Sequence, residues 1–360
     1  MLTARARLLS YPYYLVIDPS NICNLKCPLC PTWHDVKRRP KGKMTMKMFK
    51  EIIDEVGPFL FMLNLCNWGE PLLNPDFIEM IRYAKSYNIV VGFSTNLNYL
   101  PDAMAEKLVD SGVDLIVLSV DGVTQETYSA YRTGGNLETV MANIKKIQHL
   151  KAMKKETSGT ETFSKETLGR DKLSKGTPDV AWQYIVNRHN ENEVEIAKKL
   201  ASQLGLILWL MPIRTAMDKE LTMPLYERVN ETKDWLPHNP AYNRYAYEIL
   251  PETKTKQSFC KWLWNASVVN WDGSISPCCA VYDKKWDFGS YIYTGRFSFH
   301  RTWNSSSYIL ARRLIASFLK GSVKSQSHSH KCLYGNLYGK EAEDKSLICK
   351  HCTKYGFLES

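Results

Sequence analysis

Three cysteines near the start of the sequence are the first residues whose type and spacing could do chemistry. Cys23, Cys27 and Cys30 lie in DPSNICNLKCPLCPT, residues 18–32. Thiolates bind soft metals such as zinc, Cu(I) and the irons of iron–sulfur clusters. A [4Fe-4S] cluster normally takes four cysteines. Three cysteines would therefore leave one iron open, as a catalytic metal site keeps a position open for its substrate.

Zinc is the alternative metal for these three cysteines. Tetrahedral zinc needs four ligands, and His34, four residues beyond Cys30, is the nearest candidate for the fourth. The chain would then be a metal-stabilised binding protein without catalytic activity. We expect iron, because the three thiols alone do not complete a zinc site.

A second set of cysteines lies towards the other end of the chain. Cys260 and Cys278 form a C-x12-G-x4-C element around Gly273, and Cys349 and Cys352 form a CxxC pair. Two separated thiolate pairs could complete a tetrahedral zinc site or hold an iron–sulfur cluster. The residues alone leave both metals open.

The other cysteines bear on the ligand set and on the compartment. Cys279 and Cys332 could each replace a ligand of the second set, and we expect Cys66 to fill core space. Ten cysteines, several in CxxC or CxxxC spacings, indicate reduced thiols for metal or redox work. The apolar run LILWLM at 206–211 is far shorter than the roughly 20 residues of a membrane span. The first residues lack a secretory signal, so we expect a cytoplasmic protein.

The elements that must position these cysteines follow an alternating pattern. Residues 46–56 have the apolar spacing of a helix, as does FIEMIRYAKSY at 77–87. Short β-rich runs alternate with such helical segments: YYLVID (13–18), FLFMLNLC (59–66), IVVGFST (89–95), LIVLSV (115–120), VAWQYIV (180–186) and LILWLM (206–211). This alternation predicts an α/β fold with a parallel sheet, either open or curled into a barrel.

Polar motifs follow the first four predicted strands. The cysteines come after the first strand, GEP (69–71) after the second, STN (94–96) at the end of the third and SVDG (119–122) at the end of the fourth. Functional residues of parallel α/β folds lie on loops at the carboxyl ends of the strands. Each motif alone is an ordinary turn, but together they predict one site at this edge.

The first cysteine set, on the loop after the first strand, resembles the signature of radical S-adenosylmethionine (SAM) enzymes. The resemblance covers about the first 215 residues and implies a partial (βα)6 barrel, with SAM bound at the open iron of a [4Fe-4S] cluster. It implies that Gly69 and Glu70 receive the SAM amino group and that Arg132 reaches the SAM carboxylate. The remaining residues implied to line the SAM pocket are Ser94, Asn96, Ser119 and Asp121. Two departures are Leu29, where an aromatic residue is usual, and Trp68 before Gly69, where a second glycine is usual.

The second cysteine set resembles the SPASM extension of radical SAM enzymes, which holds auxiliary [4Fe-4S] clusters. The sequence lacks the last cysteines of the full SPASM pattern, so the set is more similar to the shortened twitch variant, with one cluster held by Cys260, Cys278, Cys349 and Cys352. We therefore expect a core barrel over 1–220 with a polar insertion at 153–178, a linker at 221–255 and a small α+β auxiliary domain at 256–360.

The resemblance implies reductive cleavage of SAM to a 5′-deoxyadenosyl radical that takes hydrogen from the substrate, with electrons from a flavodoxin or ferredoxin. An auxiliary cluster with no open iron favours a two-electron oxidation, either a dehydrogenation or a crosslink. We expect a small, sugar-like substrate whose anionic groups meet the basic run at 37–50, although most such runs are solvated surface. The alternative is a SPASM-type maturase of a peptide or protein. No motif for nucleic-acid recognition is found, and the sequence names no general base.

Overall fold

The structure is a computed structural model. It describes residues 6–34, 37–158, 176–214, 233–243, 260–290 and 298–319, together with residues 345 and 349.

Strands and helices alternate through the first part of the chain, as the sequence predicts. The strands are β1 Tyr14–Ile17, β2 Met62–Asn64, β3 Val90–Thr95, β4 Leu115–Ser119, β5 Asp179–Val186 and β6 Ile207–Pro212. The helices are α1 Pro31–His34, α2 Met46–Val56, α3 Phe77–Lys85, α4 Asp102–Val109, α5 Gln125–Tyr131, α6 Leu137–Ser158 and α7 Val194–Gln203. Each strand from β1 to β5 pairs in parallel with the next along the chain. The predicted α/β core is confirmed.

The auxiliary region continues the same sheet instead of forming a separate one. It contains α8 Trp262–Asn265, β7 Ala266–Val269, β8 Ser274–Ser276, β9 Gly289–Ser290, α9 Phe299–Trp303 and α10 Ser306–Leu319. The β7 strand pairs in parallel with β1, from Tyr14 opposite Ala266 to Ile17 opposite Val269. The strand order is therefore β6-β5-β4-β3-β2-β1-β7-β8-β9 in one open sheet.

The sheet has one face covered by helices and an opposite face that we call the inner face. Leu15 and Ile17 of β1 are fully buried in the core cluster that contains the helices. Because side chains alternate along a strand, Tyr14, Val16 and then Asp18 lie on the inner face. The same alternation places Cys66, beyond β2, and Ser94, in β3, on that face. The inner face therefore carries polar side chains beside apolar ones.

Helix α2 shows how local sequence sets the elements that hold the site. Its Thr45 N-cap accepts a hydrogen bond from the Met48 amide at 3.3 Å, which satisfies one of the free amides at a helix start. Phe49, Ile52, Ile53 and Val56 are fully buried, as helical spacing of apolar residues requires. The predicted helix at 46–56 is confirmed at both ends.

The structure describes only part of two segments whose bounds the sequence predicts. Of the polar insertion expected at 153–178, residues 153–158 form the end of helix α6 and residues 159–175 lie outside the described residues. Lys154 of α6 pairs with Asp110 at 2.9 Å. Of the expected linker at 221–255, only residues 233–243 are described. None of the described helices is long and apolar enough to cross a membrane.

Candidate functional site

The loop with Cys23, Cys27 and Cys30 lies at the carboxyl end of β1 and is held from two sides. The Glu70 amide donates to the Ile22 carbonyl oxygen at 2.8 Å, and the Lys26 amide donates to the Thr133 carbonyl oxygen at 2.9 Å. The first contact comes from the loop after β2 and the second from the turn after α5. The loop after β2 and the turn after α5 thus both hold the cysteine loop.

Gly69 is required by a close backbone approach. Its φ is +87°, a conformation that favours glycine. A Cβ at this position would lie 2.4 Å from the Ser20 carbonyl oxygen and 2.7 Å from the Asn21 Cα. Any side chain at residue 69 would therefore push the loop after β2 away from the cysteine loop.

Glu70 is fully enclosed and uses its carboxylate to hold the neighbouring loops. It is 1% exposed. One carboxylate oxygen accepts from the Thr95 hydroxyl at 2.8 Å and the Leu72 amide at 3.2 Å, and the other accepts from the Asn96 amide at 2.7 Å. Burial raises the pKa of Glu70 to about 7, against these hydrogen bonds, which lower it. Glu70 thus joins the end of β3 to the cysteine loop, and a contact with the SAM amino group stays a prediction.

Asn96 is brought next to the first cysteine. Its side-chain amide lies 3.7 Å from the Cys23 sulfur and donates to the Asn24 side-chain oxygen at 2.9 Å. The Ser94 backbone hydrogen-bonds the thiol of Cys66, which lies beyond β2. Ser119 is 8% exposed. It lies at the end of β4, opposite Gln183 of β5.

Arg132 links Asp121 to the second cysteine. Its Nε donates to an Asp121 carboxylate oxygen at 2.6 Å, and its Nη1 lies 3.8 Å from the Cys27 sulfur. Burial opposes the charged form, but Asp121 and Cys27 raise the pKa of Arg132 well above its usual value. Asp121 also accepts from the Ile185 amide at 2.6 Å. The guanidinium therefore stays charged and has a fixed orientation beside the cysteine loop.

The electrostatics of the three thiols fit a ligand set for a cationic group. Burial, and then the charges of Glu70 and the other two cysteines, raise the pKa of Cys23 to about 12. The pKa of Cys27 is also raised, mainly by burial. Thiols in such a place become thiolates when a metal supplies positive charge. With Asn96 and Arg132 as donors to the sulfurs, the residues fit a three-cysteine cluster site.

The zinc alternative requires His34 as the fourth ligand of this set. His34 is exposed at the end of α1, and its Nε2 contacts the Pro28 carbonyl oxygen. The ring nitrogen is therefore directed at a backbone oxygen of the cysteine loop.

Cys278, from the second cysteine set, follows β8 near the opposite end of the sheet. The β8 strand runs antiparallel to β7, so the chain leaves β8 at the edge where β1 and β7 begin. Cys278 and Cys349 both raise the pKa of Tyr308, after burial. Cys279 lies instead beside Tyr14, whose pKa is raised to about 12 by burial and then by Cys279 and Cys66. The structure thus brings Cys278 and Cys349 to one aromatic side chain and Cys279 to another.

The remaining cysteines of this set are only partly covered by the structure. Cys260 is half-buried just before α8 and packs against the hydrophobic core. Cys66 packs against that core too, as expected for a thiol that fills core space. Cys332 and Cys352 lie outside the described residues.

Arg39, near the start of the basic run at 37–50, is a buried residue next to the cysteine loop that the sequence does not single out. It is 0% exposed and donates to both Asp287 carboxylate oxygens, at 2.8 and 3.0 Å. It also donates to the Ser274 hydroxyl at 2.9 Å and the Tyr282 carbonyl oxygen at 2.7 Å. Arg39 therefore ties the segment after the cysteine loop to the auxiliary region. No local pattern distinguishes it from its exposed basic neighbours.

Comparisons with known proteins agree with this geometry. Residues 17–156 match the model of the Radical SAM superfamily, and residues 260–353 match that of SPASM, an iron-sulfur cluster-binding domain. The "Tungsten-containing aldehyde ferredoxin oxidoreductase cofactor-modifying protein" of Pyrococcus furiosus is 26% identical over 342 residues, which is 89% of this chain and 88% of that protein. The "Mycofactocin maturase MftC" of Mycobacterium ulcerans is 27% identical over 57% of this chain and 48% of that protein.

Solved structures share the fold. Streptococcus suis SuiB bound to S-adenosylmethionine has a TM-score of 0.56 at 14% identity, over 89% of this chain and 70% of that one. Native anSMEcpe with bound AdoMet has a TM-score of 0.52 at 16% identity, over 96% and 97%. Radical SAM domains bind SAM and a [4Fe-4S] cluster, and SPASM domains bind auxiliary iron–sulfur clusters. The chain is therefore an enzyme of the radical SAM superfamily with a C-terminal SPASM domain.

Proposed function

We propose that this enzyme is a SPASM-type maturase that oxidises a polypeptide substrate by two electrons. Cys23, Cys27 and Cys30 would hold the SAM-binding cluster, and Cys260, Cys278, Cys349 and Cys352 the auxiliary cluster. The observation that supports this best concerns the described cysteines: the first three follow the carboxyl end of β1, whereas Cys260 and Cys278 lie before β7 and after β8, where β1 and β7 begin. The inner face of β1 lies between them.

When bound, SAM and its cluster supply a 5′-deoxyadenosyl radical by one-electron cleavage. The protein's part is to hold the reactants in register and to exclude water. Arg132, fixed by Asp121 beside Cys27, would donate its remaining guanidinium N–H groups to the SAM carboxylate. Asn96 lies beside Cys23 and Ser94 and Ser119 lie at neighbouring strand ends, so all three fit the wall of the same pocket.

Near the inner face, two buried polar groups have atoms without a hydrogen-bond partner among the described residues. One Asp18 carboxylate oxygen accepts from the amides of Asn67 and Trp68, at 3.4 and 3.2 Å. Its other oxygen and the Trp68 indole nitrogen are buried without a hydrogen-bond partner among the described residues. Burial raises the pKa of Asp18 well above its usual value. Buried polar atoms are normally paired, so these atoms are candidates to bind a substrate amide or hydroxyl.

The relatives favour a polypeptide over the small anionic molecule that the sequence suggests. MftC is named a maturase, and SuiB has been solved bound to its precursor peptide SuiA, in a structure with a TM-score of 0.51. The basic run also contributes less positive charge to the surface than its composition indicates, because Arg39 forms a buried ion pair with Asp287. A small anionic substrate remains the second outcome of the test below.

The test begins with anaerobic reconstitution of the full chain. We expect about eight irons per chain, four for each [4Fe-4S] cluster, and dithionite-driven release of 5′-deoxyadenosine from SAM. A variant with Cys23, Cys27 and Cys30 replaced by alanine should keep about four irons and release none. Cys66→Ala is the matched control, because Cys66 lies beside this site but outside the triad, and it should keep full iron content.

Substrate class is then read by mass spectrometry. A short peptide encoded beside the gene should lose about 2 Da, the mass of two hydrogens, on incubation with SAM and reductant. Turnover of a phosphorylated sugar instead would support the small-molecule reading. Zinc in place of iron, or no SAM cleavage by a fully loaded chain, would refute the radical mechanism.

A further inference from the structure

Arg312 is a buried arginine in the auxiliary region. It lies in α10 and is 0% exposed. Its Nε donates to the Leu263 carbonyl oxygen at 2.7 Å, and its Nη1 donates to the Ala6 carbonyl oxygen at 3.0 Å. Its Nη2 is buried without a hydrogen-bond partner in the part of the chain that the structure describes. Both described hydrogen-bond acceptors of this charge are therefore neutral carbonyl oxygens.

Such an arrangement is unfavourable unless negative charge is near. Buried charges in proteins are paired or coordinate metals, because desolvation of an unpaired ion costs several kcal/mol. Burial lowers the pKa of Arg312 to about 10, so the guanidinium is still protonated near neutral pH. Arg39 is equally buried but has Asp287 as its partner. For Arg312, no ion pair with a described carboxylate is present.

Aromatic rings connect Arg312 to the second cysteine set. The guanidinium lies 4.4 Å from the ring centre of Trp303 and 5.1 Å from that of Tyr308. The Tyr308 hydroxyl donates to the Ser276 carbonyl oxygen at 3.4 Å, two residues before Cys278. The Leu263 carbonyl oxygen, which accepts from Arg312, lies three residues after Cys260. The guanidinium and the Tyr308 ring therefore lie against the two segments that carry Cys260 and Cys278, and Cys278 and Cys349 both raise the pKa of Tyr308. The Tyr308 hydroxyl is fixed by a 2.7 Å hydrogen bond with the Ser267 hydroxyl.

We propose that Arg312 is the countercharge of the auxiliary cluster and raises its reduction potential across the Tyr308 ring. The proposal rests on the proposed function, because it requires that Cys278 and Cys349 hold that cluster. Four thiolates give such a cluster a net negative charge, which increases on reduction. Net charge and surroundings are among the main determinants of cluster potentials. A fixed positive charge in a dry environment therefore favours the reduced form.

The test measures the midpoint potential of the auxiliary cluster by EPR-monitored redox titration. Cys23, Cys27 and Cys30 are replaced by alanine in the full chain, so that the auxiliary signal is recorded alone. Arg312→Gln removes the charge and keeps hydrogen-bond donors, Arg312→Lys keeps the charge, and Arg313→Gln removes an exposed charge from the adjacent position. Iron content is measured in every variant.

We expect Arg312→Gln to shift the reduction equilibrium at least tenfold towards the oxidised form, a fall of about 59 mV for one electron. Arg312→Lys should retain most of the parent potential, and Arg313→Gln should leave it unchanged. A fully loaded Arg312→Gln variant with the parent potential would overturn this inference and leave the proposed function standing. If the chain with Cys23, Cys27 and Cys30 replaced by alanine binds no iron, this inference and the proposed function are both wrong.

Failure of Arg312→Gln to take up iron would also be decisive. Circular dichroism and thermal unfolding of the apoprotein show whether the variant is folded. A folded apoprotein that takes up iron with lysine but not with glutamine at residue 312 supports a countercharge for the cluster. An unfolded apoprotein shows that Arg312 acts on folding, and the inference is then wrong.

Discussion

Arg39→Met is expected to destabilise the protein strongly, because it leaves a buried carboxylate without its partner. Arg39 is 0% exposed and Asp287 is 4% exposed. Without the guanidinium, Asp287 keeps a hydrogen bond from the Ser276 hydroxyl, at 2.5 Å. Removing one partner of a buried ion pair costs about 3–5 kcal/mol in the free energy of unfolding. Asp18 and Asp272, which also interact with Arg39, would add to the uncompensated negative charge.

Unfolding of the reconstituted chain by guanidinium chloride, under anaerobic conditions, measures this loss in the free energy of unfolding. Arg38→Met is the matched control: Arg38 lies 4.0 Å from Asp283 and its side chain is 38% exposed. An exposed pair of this kind contributes about 0–1 kcal/mol. Asp287→Asn combined with Arg39→Met should recover much of the loss, since no charge is then left at residue 287. A loss for Arg39→Met as small as that for Arg38→Met would refute the reasoning.

Three further predictions concern the two cysteine sets. Gly69→Ala should lower the iron bound by the triad, since its Cβ would meet backbone at 2.4 Å; Gly176→Ala, with φ of +95° and no atom within 4 Å, should not. In the apoprotein, burial raises the folded-state pKa of Glu70 from 4.5 to about 7, so stability present below about pH 4.5 is lost as pH rises through 7. That loss, about 3 kcal/mol, should vanish in Glu70→Gln unfolding curves. Cys278→Ser should lose auxiliary iron, whereas Cys279→Ser should keep it; the reverse result would exchange the ligand assignment.

The fold of the core could be predicted because its signals are local. The apolar spacing of 46–56 fixes both ends of α2, and six β-rich runs separated by helical segments indicate a parallel sheet. The pairing of β1 with β7 could not be predicted. It joins Tyr14 to Ala266, and a parallel pairing of two short strands so far apart leaves no periodic pattern to detect.

The candidate site shows the same division. The spacing of Cys23, Cys27 and Cys30 indicates a cluster site, since three thiols so close in sequence have few other roles. The polar turns at the strand ends indicate which loops surround that site. The partners of individual side chains could not be read from the sequence. Arg39 stands among exposed lysines, and only the packing of the auxiliary region onto its segment makes it a buried ion-pair partner. Cys278 and Cys279 are adjacent in sequence, and only the fold sends them towards different aromatic residues.

The β1–β7 pairing bears directly on how the two cysteine sets are spaced. From Tyr14, level with the start of β7, to Asp18, at the start of the cysteine loop, the chain advances about 13 Å at about 3.3 Å per residue. Because β7 runs parallel to β1 in register, the auxiliary region cannot slide along the core without breaking that ladder. Arg39 ties the same two parts together at the carboxyl end of the sheet. The distance along the sheet between the cysteine loop after β1 and the segment that carries Cys278 is therefore fixed by a four-residue strand and one buried ion pair.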